Sequence, residues 1–246
     1  MSFHKIYFQK RIPEPKEMGK VELDVFEKIS KESYKRWIIP LVDDILEKSK
    51  LKNGYILDVG CGPGLLVKEL AGRSRNLKVF GIDISSHAIR QAKTNCKDIK
   101  NVFIKVSNAY KLPFPNNYFD LVVCKDNLHQ FPKNPIRILK EMTRVVKSDG
   151  LVYISDLRRD VPLYLLKKVI PPDNMFKKLL YYSARAAYTK LETKQFMKQA
   201  GLVCVKIKTR QVTSEIKKKY SRLGIGVKEL RESFQSRYVA IGKKHK

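Results

Sequence analysis

The stretch YILDVGCGPGLL, residues 55–66, decides the reading of this 246-residue chain. An apolar run, 55–59, gives way to Gly60-x-Gly62-x-Gly64, and a helical pattern begins directly after it. Glycines at such a turn permit the backbone angles of a sharp strand-to-helix reversal and leave room for a ligand against the main chain. The helix that follows directs its free N–H groups at that ligand. A dinucleotide fingerprint needs glycine at 65, where Leu65 stands, and a phosphate-cradling loop needs Gly-Lys-Ser/Thr, which is absent. Glycine at alternate positions after the acidic Asp58 suits a ligand without a pyrophosphate. A plain structural turn is the other reading of the same residues.

Outward from this stretch, short apolar runs alternate with helical patterns. The runs are 55–59, VFGIDI (79–84), VFIKV (102–106), FDLVVC (119–124) and LVYISD (151–156), with helical periodicity over 64–73, 86–95 and 135–146. Strands apolar on both faces and joined by helices belong to a parallel sheet covered on both sides. Residues 21–50 read as helices, with Pro40 starting or kinking one. Residues 161–188 read as one or two helices broken at Pro171-Pro172. Thr189 to Glu192 matches a capping box opening a helix that ends at Gly201. VCVKIKT (203–209) and RYVAIG (237–242) read as two more strands, separated by a basic insertion, 210–236. The expectation is one α/β domain over 1–246. It comprises a helical cap (1–50), a ligand-binding core (55–157), a helical lid (158–188) and a C-terminal part (189–246).

Two further elements point to a nucleoside. The second strand ends in Gly81-Ile82-Asp83, and an acid at the neighbouring strand tip can accept hydrogen bonds from both hydroxyls of a ribose. Alone, Asp83 reads equally as a companion of a helix cap at Ser85 or Ser86. After the third strand, Asn108 falls in a loop at the carboxyl end of the sheet, where its amide oxygen can accept from an adenine amino group beside Ala109.

Composition bounds the rest. Cysteines 61, 96, 124 and 204 form no CxxC pair and have no histidine at ligand spacing, so neither a disulfide framework nor a metal site is expected, and a reducing cytoplasm is. No run of eighteen apolar residues is present, and the first fifteen residues lack the apolar stretch of a signal peptide. The formal charge of +27 lies mainly in residues 158–246, which carry 23 Lys and Arg against 6 Asp and Glu. Such a field attracts a nucleic acid, acidic lipid headgroups or a phosphorylated or carboxylated small molecule, or it decorates solvated helix faces.

In order and spacing these elements resemble the class I S-adenosylmethionine-dependent methyltransferases, in particular the small-molecule branch that includes ubiquinone and menaquinone biosynthesis enzymes. The resemblance runs from about Tyr55 to Gly201. It takes in the glycine turn, Asp83, the Asn108 loop, LPFP…FDLVV, LHQF (128–131), RVVKSDG (144–150) and QAGL (199–202). It implies a Rossmann-like, seven-stranded, mostly parallel sheet with an antiparallel last strand, and S-adenosylmethionine as cofactor. By the resemblance, Asp58 with Gly60, Cys61, Gly62 and Gly64 would hold the methionine part. Asp83 would take the ribose, Ile84 would pack on the adenine, Asn108 and Ala109 would edge it, and Lys125 would line the cofactor. Asn108 stands where Asp is usual. Lys125 is bulky and charged where a small residue is common, a conflict with a sulfonium unless it points outward or pairs with Asp126.

A dedicated base is needed only if the acceptor must lose a proton, with His129, Asp126 and the cap tyrosines as candidates. For His129 a packing role is the competing reading. The Asn/Asp-Pro-Pro-Tyr/Phe signature of amino methyltransferases is missing after FDLVVC, as is a Pro-Cys or Thr-Cys nucleophile. Three functions follow: a small-molecule methyltransferase with 1–50, 158–188 and 210–236 roofing the acceptor, a tRNA methyltransferase using the basic last third, and a scaffold that has kept the fold without turnover.

Overall fold

The computed structural model describes residues 10–14, 19–131, 134–169 and 174–245. Seven strands form one sheet: β1 (Gly54–Val59), β2 (Leu77–Asp83), β3 (Val102–Val106), β4 (Phe119–Lys125), β5 (Val146–Leu157), β6 (Leu202–Thr209) and β7 (Arg237–Lys244). The order is β3-β2-β1-β4-β5-β7-β6, and β7 alone runs against its neighbours. The strand order reverses between the parallel neighbours β1 and β4, so the carboxyl tips of β1, β2 and β4 converge where open α/β sheets bind ligands.

Alternation along each strand sends side chains to two cores. Leu57, Val122, Ile154 and Tyr238 pack beneath α5 (Pro135–Val145) and α8 (Lys190–Gln199). Ile56, Leu121, Val123 and Tyr153 pack beneath α2 (Tyr34–Ser49) and α3 (Leu65–Arg73). Strands buried on both faces are why the sequence reads as continuous apolar runs. The helix between β2 and β3, α4 (Ser86–Asn95), is capped by the Ser85 hydroxyl accepting from the Ala88 N–H. The expected capping box is present at Thr189 and Glu192.

Several boundaries differ from the sequence reading. The break between α1 (Lys20–Glu32) and α2 falls at Ser33, and Pro40 lies inside α2, where the burial of Leu41, Val42 and Ile45 outweighs its missing N–H. Strand β5 starts at Val146, not Leu151, and takes in Ser148-Asp149-Gly150 as an irregular entry with Asp149 at φ 63°. The segment expected as a lid contains α6 (Leu163–Val169) and α7 (Met175–Ala186), whereas the Pro171-Pro172 break lies outside the described residues. The basic insertion folds as α9 (Ser214–Ser221) and α10 (Val227–Gln235), whose Tyr220, Leu230 and Phe234 form a small core with Ile39 of α2. No helix of the described residues is long and apolar enough to cross a membrane, and none of their His, Cys, Asp and Glu groups could hold a metal.

Candidate functional site

The glycine turn is held from behind and open in front. The N–H groups of Gly60 and Cys61 both donate to the Ile82 carbonyl, at 2.8 and 2.9 Å, tying the turn to the tip of β2. All three glycines have positive φ, 76° at Gly60, 52° at Gly62 and 77° at Gly64. A β-carbon at Gly60 would fall 1.4 Å from Asn127 Nδ2, and one at Gly64 2.8 Å from Ala92 Cβ. One at Gly62 would meet nothing within 4 Å. The first and third glycines therefore serve close packing, and the second faces free space.

Two carboxylates flank that space. Asp83 Oδ2 accepts from the Gly62 N–H at 3.0 Å, and Oδ1 from the Ser85 N–H at 2.9 Å. Asp83 thus braces the helix cap at Ser85, and each of its oxygens keeps a further lone pair. Asp58, paired with Gly81 on β2 and Val123 on β4, is 1 % exposed, and its Oδ1 has no hydrogen-bond partner. Burial pushes its carboxyl up to about 7, against the field of Lys125 and with that of Asp83. A buried carboxylate oxygen left unpaired is costly unless a ligand donor meets it.

Lys125, at the end of β4 on the same face, donates to Asp126. Of the two resolutions expected for its charge, it takes the pairing with Asp126. Burial brings its ammonium down to about 7, helped by the like charges of Arg237 and Arg210. Arg237 also binds Asp126, so both oxygens of that candidate base are held by cations, and its backbone is in the left-handed region at φ 50°.

The remaining candidates are spread more widely. Ile84 is 61 % exposed directly beyond Asp83, a free apolar surface beside the turn. The Asn108 loop is joined to this corner by Ser107 N–H donating to the Asp83 carbonyl at 2.9 Å. Asn108 Oδ1 already accepts from the Tyr110 N–H at 2.9 Å, which fixes its amide oxygen toward the loop, and Ala109 packs partly buried beside Tyr110. His129 stands on the other sheet face, 3 % exposed, its Nδ1 2.6 Å from Asp156 Oδ1 and its Nε2 3.7 Å from Glu14 Oε1. Burial opposes its imidazolium, but the charge and hydrogen bond of Asp156, with Glu14, raise its pKa above the usual value.

Comparison with known proteins agrees with this geometry. Residues 57–154 match the family model described as a methyltransferase domain. Over these residues the chain carries a methyltransferase domain. This domain is 32 % identical over 126 residues to a ubiquinone biosynthesis O-methyltransferase of Nitrosomonas europaea, covering 50 % of this chain and 52 % of that one. It is 36 % identical over 112 residues to an uncharacterized methyltransferase of Schizosaccharomyces pombe, covering 41 % and 39 %. The match thus spans about half the length of these relatives or less. The fold is that of a putative S-adenosylmethionine-dependent methyltransferase from Methanococcus maripaludis, with a TM-score of 0.68, 19 % identity and coverage of 96 % of this chain and 98 % of that one. A methyltransferase from Aquifex aeolicus superposes with a TM-score of 0.62 at 18 % identity, over 89 % and 97 % of the two chains.

Around the methyltransferase core stand residues that the motif reading passed over. Asn127 fills the space behind Gly60, and Trp37 lies under the Arg237 guanidinium at 4.5 Å. Arg11 donates to the carbonyls of Ala186 and His129, while Glu14 accepts from Gln130 and Ser183, so residues 11–14 strap α7 to the turn at 128–130. An arginine opening the apolar run 238–241 was the one available hint of Arg237; the strap left no sequence signal.

Proposed function

We propose that this protein transfers a methyl group from S-adenosylmethionine to a small-molecule acceptor by in-line displacement. The observation that carries the reading is the open front of Gly62, flanked at adjacent strand tips by Asp83 and by the unpartnered Asp58 oxygen. These groups fit the donor. Asp58 and the turn Gly60, Cys61, Gly62 and Gly64 would meet its amino-acid end, Asp83 its ribose hydroxyls, Ile84 the adenine face, and Asn108 and Ala109 the adenine edge. When bound, S-adenosylmethionine supplies a methyl group already activated on a sulfonium, so the chain's task is placement and exclusion of water. Lys125 lines that space with its charge shared by Asp126 and lowered by burial, which eases its conflict with a cationic donor.

His129 and Asp126 act by position in this reading. His129 ties Asp156 to the strap through Glu14, and Asp126 fixes Lys125 and Arg237. The relatives described as ubiquinone biosynthesis O-methyltransferases favour an oxygen acceptor on a small molecule. Calorimetric titration with S-adenosylmethionine and S-adenosylhomocysteine tests the reading, with saturable binding of both expected. Binding of neither would return the chain to the scaffold alternative.

The basic last third supports a second reading, an RNA acceptor. Two of its lysines have another explanation, because Lys206 and Lys208 are exposed on β6, a sheet edge, where charge discourages strand pairing between molecules.

A further inference from the structure

Among the described residues, six buried side-chain nitrogen or oxygen atoms have no hydrogen-bond partner. Four of them, Asp58 Oδ1, Ser155 Oγ, Arg237 Nε and Arg210 Nη2, belong to the face of the sheet that α2 covers, at its ligand-binding edge. Strand register puts them there. Lys125 pairs with Ser155, Ser155 with Val239, and Leu157 with Arg237, while the Arg210 N–H donates to the Arg237 carbonyl at 3.0 Å. The donor reading accounts for Asp58. The other three atoms are hydrogen-bond donors or, in Ser155, a hydroxyl able to donate.

Direct pairing in this row is incomplete. Lys125 and Arg237 share the carboxylate of Asp126, and Arg237 Nε is left over. Arg210, 6 % exposed, rests on the Phe234 ring at 4.1 Å with its Nη2 unpaired, and the negative field of Asp44 reaches it while that carboxylate accepts from the Tyr153 hydroxyl at 2.5 Å. A guanidinium shut away from water without a paired anion is strongly unfavourable, and a ligand oxyanion removes the penalty. Arginine forks match the planar oxygens of carboxylate and phosphate. At 4 % exposure Arg237 lies out of reach of a nucleic-acid backbone.

We propose that Arg210 and Arg237, with Ser155, bind a single oxyanion, a carboxylate or a phosphate, carried by the methyl acceptor. The assignment to an acceptor rests on the methyltransferase reading above. It makes the substrate an acidic small molecule and gives the insertion 210–236 a part in selecting it, since α10 supplies the ring beneath Arg210.

Trp37 is the chain's one tryptophan and lies against Arg237, so its fluorescence reports on the site. The experiment titrates the whole protein, in chloride-free buffer, with benzoate, phenyl phosphate and benzyl alcohol. Benzoate or phenyl phosphate should bind at least about tenfold tighter than the neutral alcohol, and whichever of the two wins names the oxyanion. Arg210→Met should weaken that binding about tenfold or more, with Arg210→Lys falling between, while S-adenosylhomocysteine still binds saturably by calorimetry. Equal affinity for all three probes in the wild-type protein, a comparison that needs no variant, overturns the proposal. So does an anion response that survives both Arg210→Met and Arg237→Met. Loss of S-adenosylhomocysteine binding in the wild-type protein overturns the methyltransferase reading instead, and with it the link between the oxyanion and an acceptor.

Discussion

Asp58 makes donor binding a proton-linked event. Its carboxyl is pushed by burial to about 7, and the proposed ligand group, an ammonium that stays charged across neutral pH, needs it ionised. A group of that pKa is about one-tenth ionised at pH 6 and about nine-tenths at pH 8, so Asp58 alone should raise affinity about tenfold over the interval, ~1.4 kcal/mol. Its own share of the proton release on binding at pH 7 should be about half a proton per site, as the ligand drives the bound carboxyl to its charged form. Calorimetry of S-adenosylhomocysteine in two buffers of different ionisation enthalpy measures both quantities. Lys125 titrates in the same window and with the same sign, because its neutral amine tolerates a cationic neighbour better. Lys125→Met therefore isolates the Asp58 share, and Asp58→Asn in that background should flatten the profile. An affinity independent of pH, with no proton released, would refute the assignment of Asp58 to the donor.

The same shift acts on the empty protein. The folded pKa lies above the unfolded value near 4, so the folded state binds more protons and stability falls as pH rises from about 4 through 7. Asp58→Asn, freed of that charge, should melt several degrees higher at pH 8, a gain on the order of 2 kcal/mol, by calorimetric scanning.

Other expectations separate packing from binding. Gly60→Ala drives a methyl group into Asn127 in a left-handed backbone and should lower the melting temperature by about 10 °C or abolish folding, whereas Gly62→Ala should cost only ~1–2 kcal/mol of stability yet lose donor affinity by calorimetry. His129 has a folded pKa raised by Asp156, so its stabilisation is full below about 6.5 and is lost as pH climbs through the raised value. His129→Gln should remove that segment of the stability–pH curve, seen by thermal scans between pH 6 and 9. If the basic last third serves only solubility and the acidic acceptor, RNA binding should be weak at 150 mM salt; a steep, phosphate-counting salt slope at useful affinity would favour the RNA reading.

The core of this fold could be read in the sequence because burial on both faces leaves an unmistakable residue pattern. The third strand, Val102–Val106, has the expected ends, and β7 was anticipated at Arg237. That Asp83 meets the glycine turn was legible because adjacent strand tips are fixed by local turns. Boundaries failed where tertiary packing overrides local preference, as at Pro40 inside α2 and at the irregular entry to β5. Arg210, Arg237 and Trp37 lie far apart in the chain and meet only through the β6–β7 register and the docking of α2, information no local motif carries. His129 was visible as a candidate base; its confinement between Asp156 and a strap at Glu14 was not.

The most direct measurement is S-adenosylhomocysteine binding by the wild-type protein and by Asp83→Ala, with thermal scans confirming that both are folded. Saturable binding by the former, weakened by about 1–3 kcal/mol in the latter, is the predicted result for hydroxyls that lose their acceptor. No binding by the wild-type protein, or equal affinity in a folded Asp83→Ala, would contradict the claim that these two strand tips grip a nucleoside methyl donor.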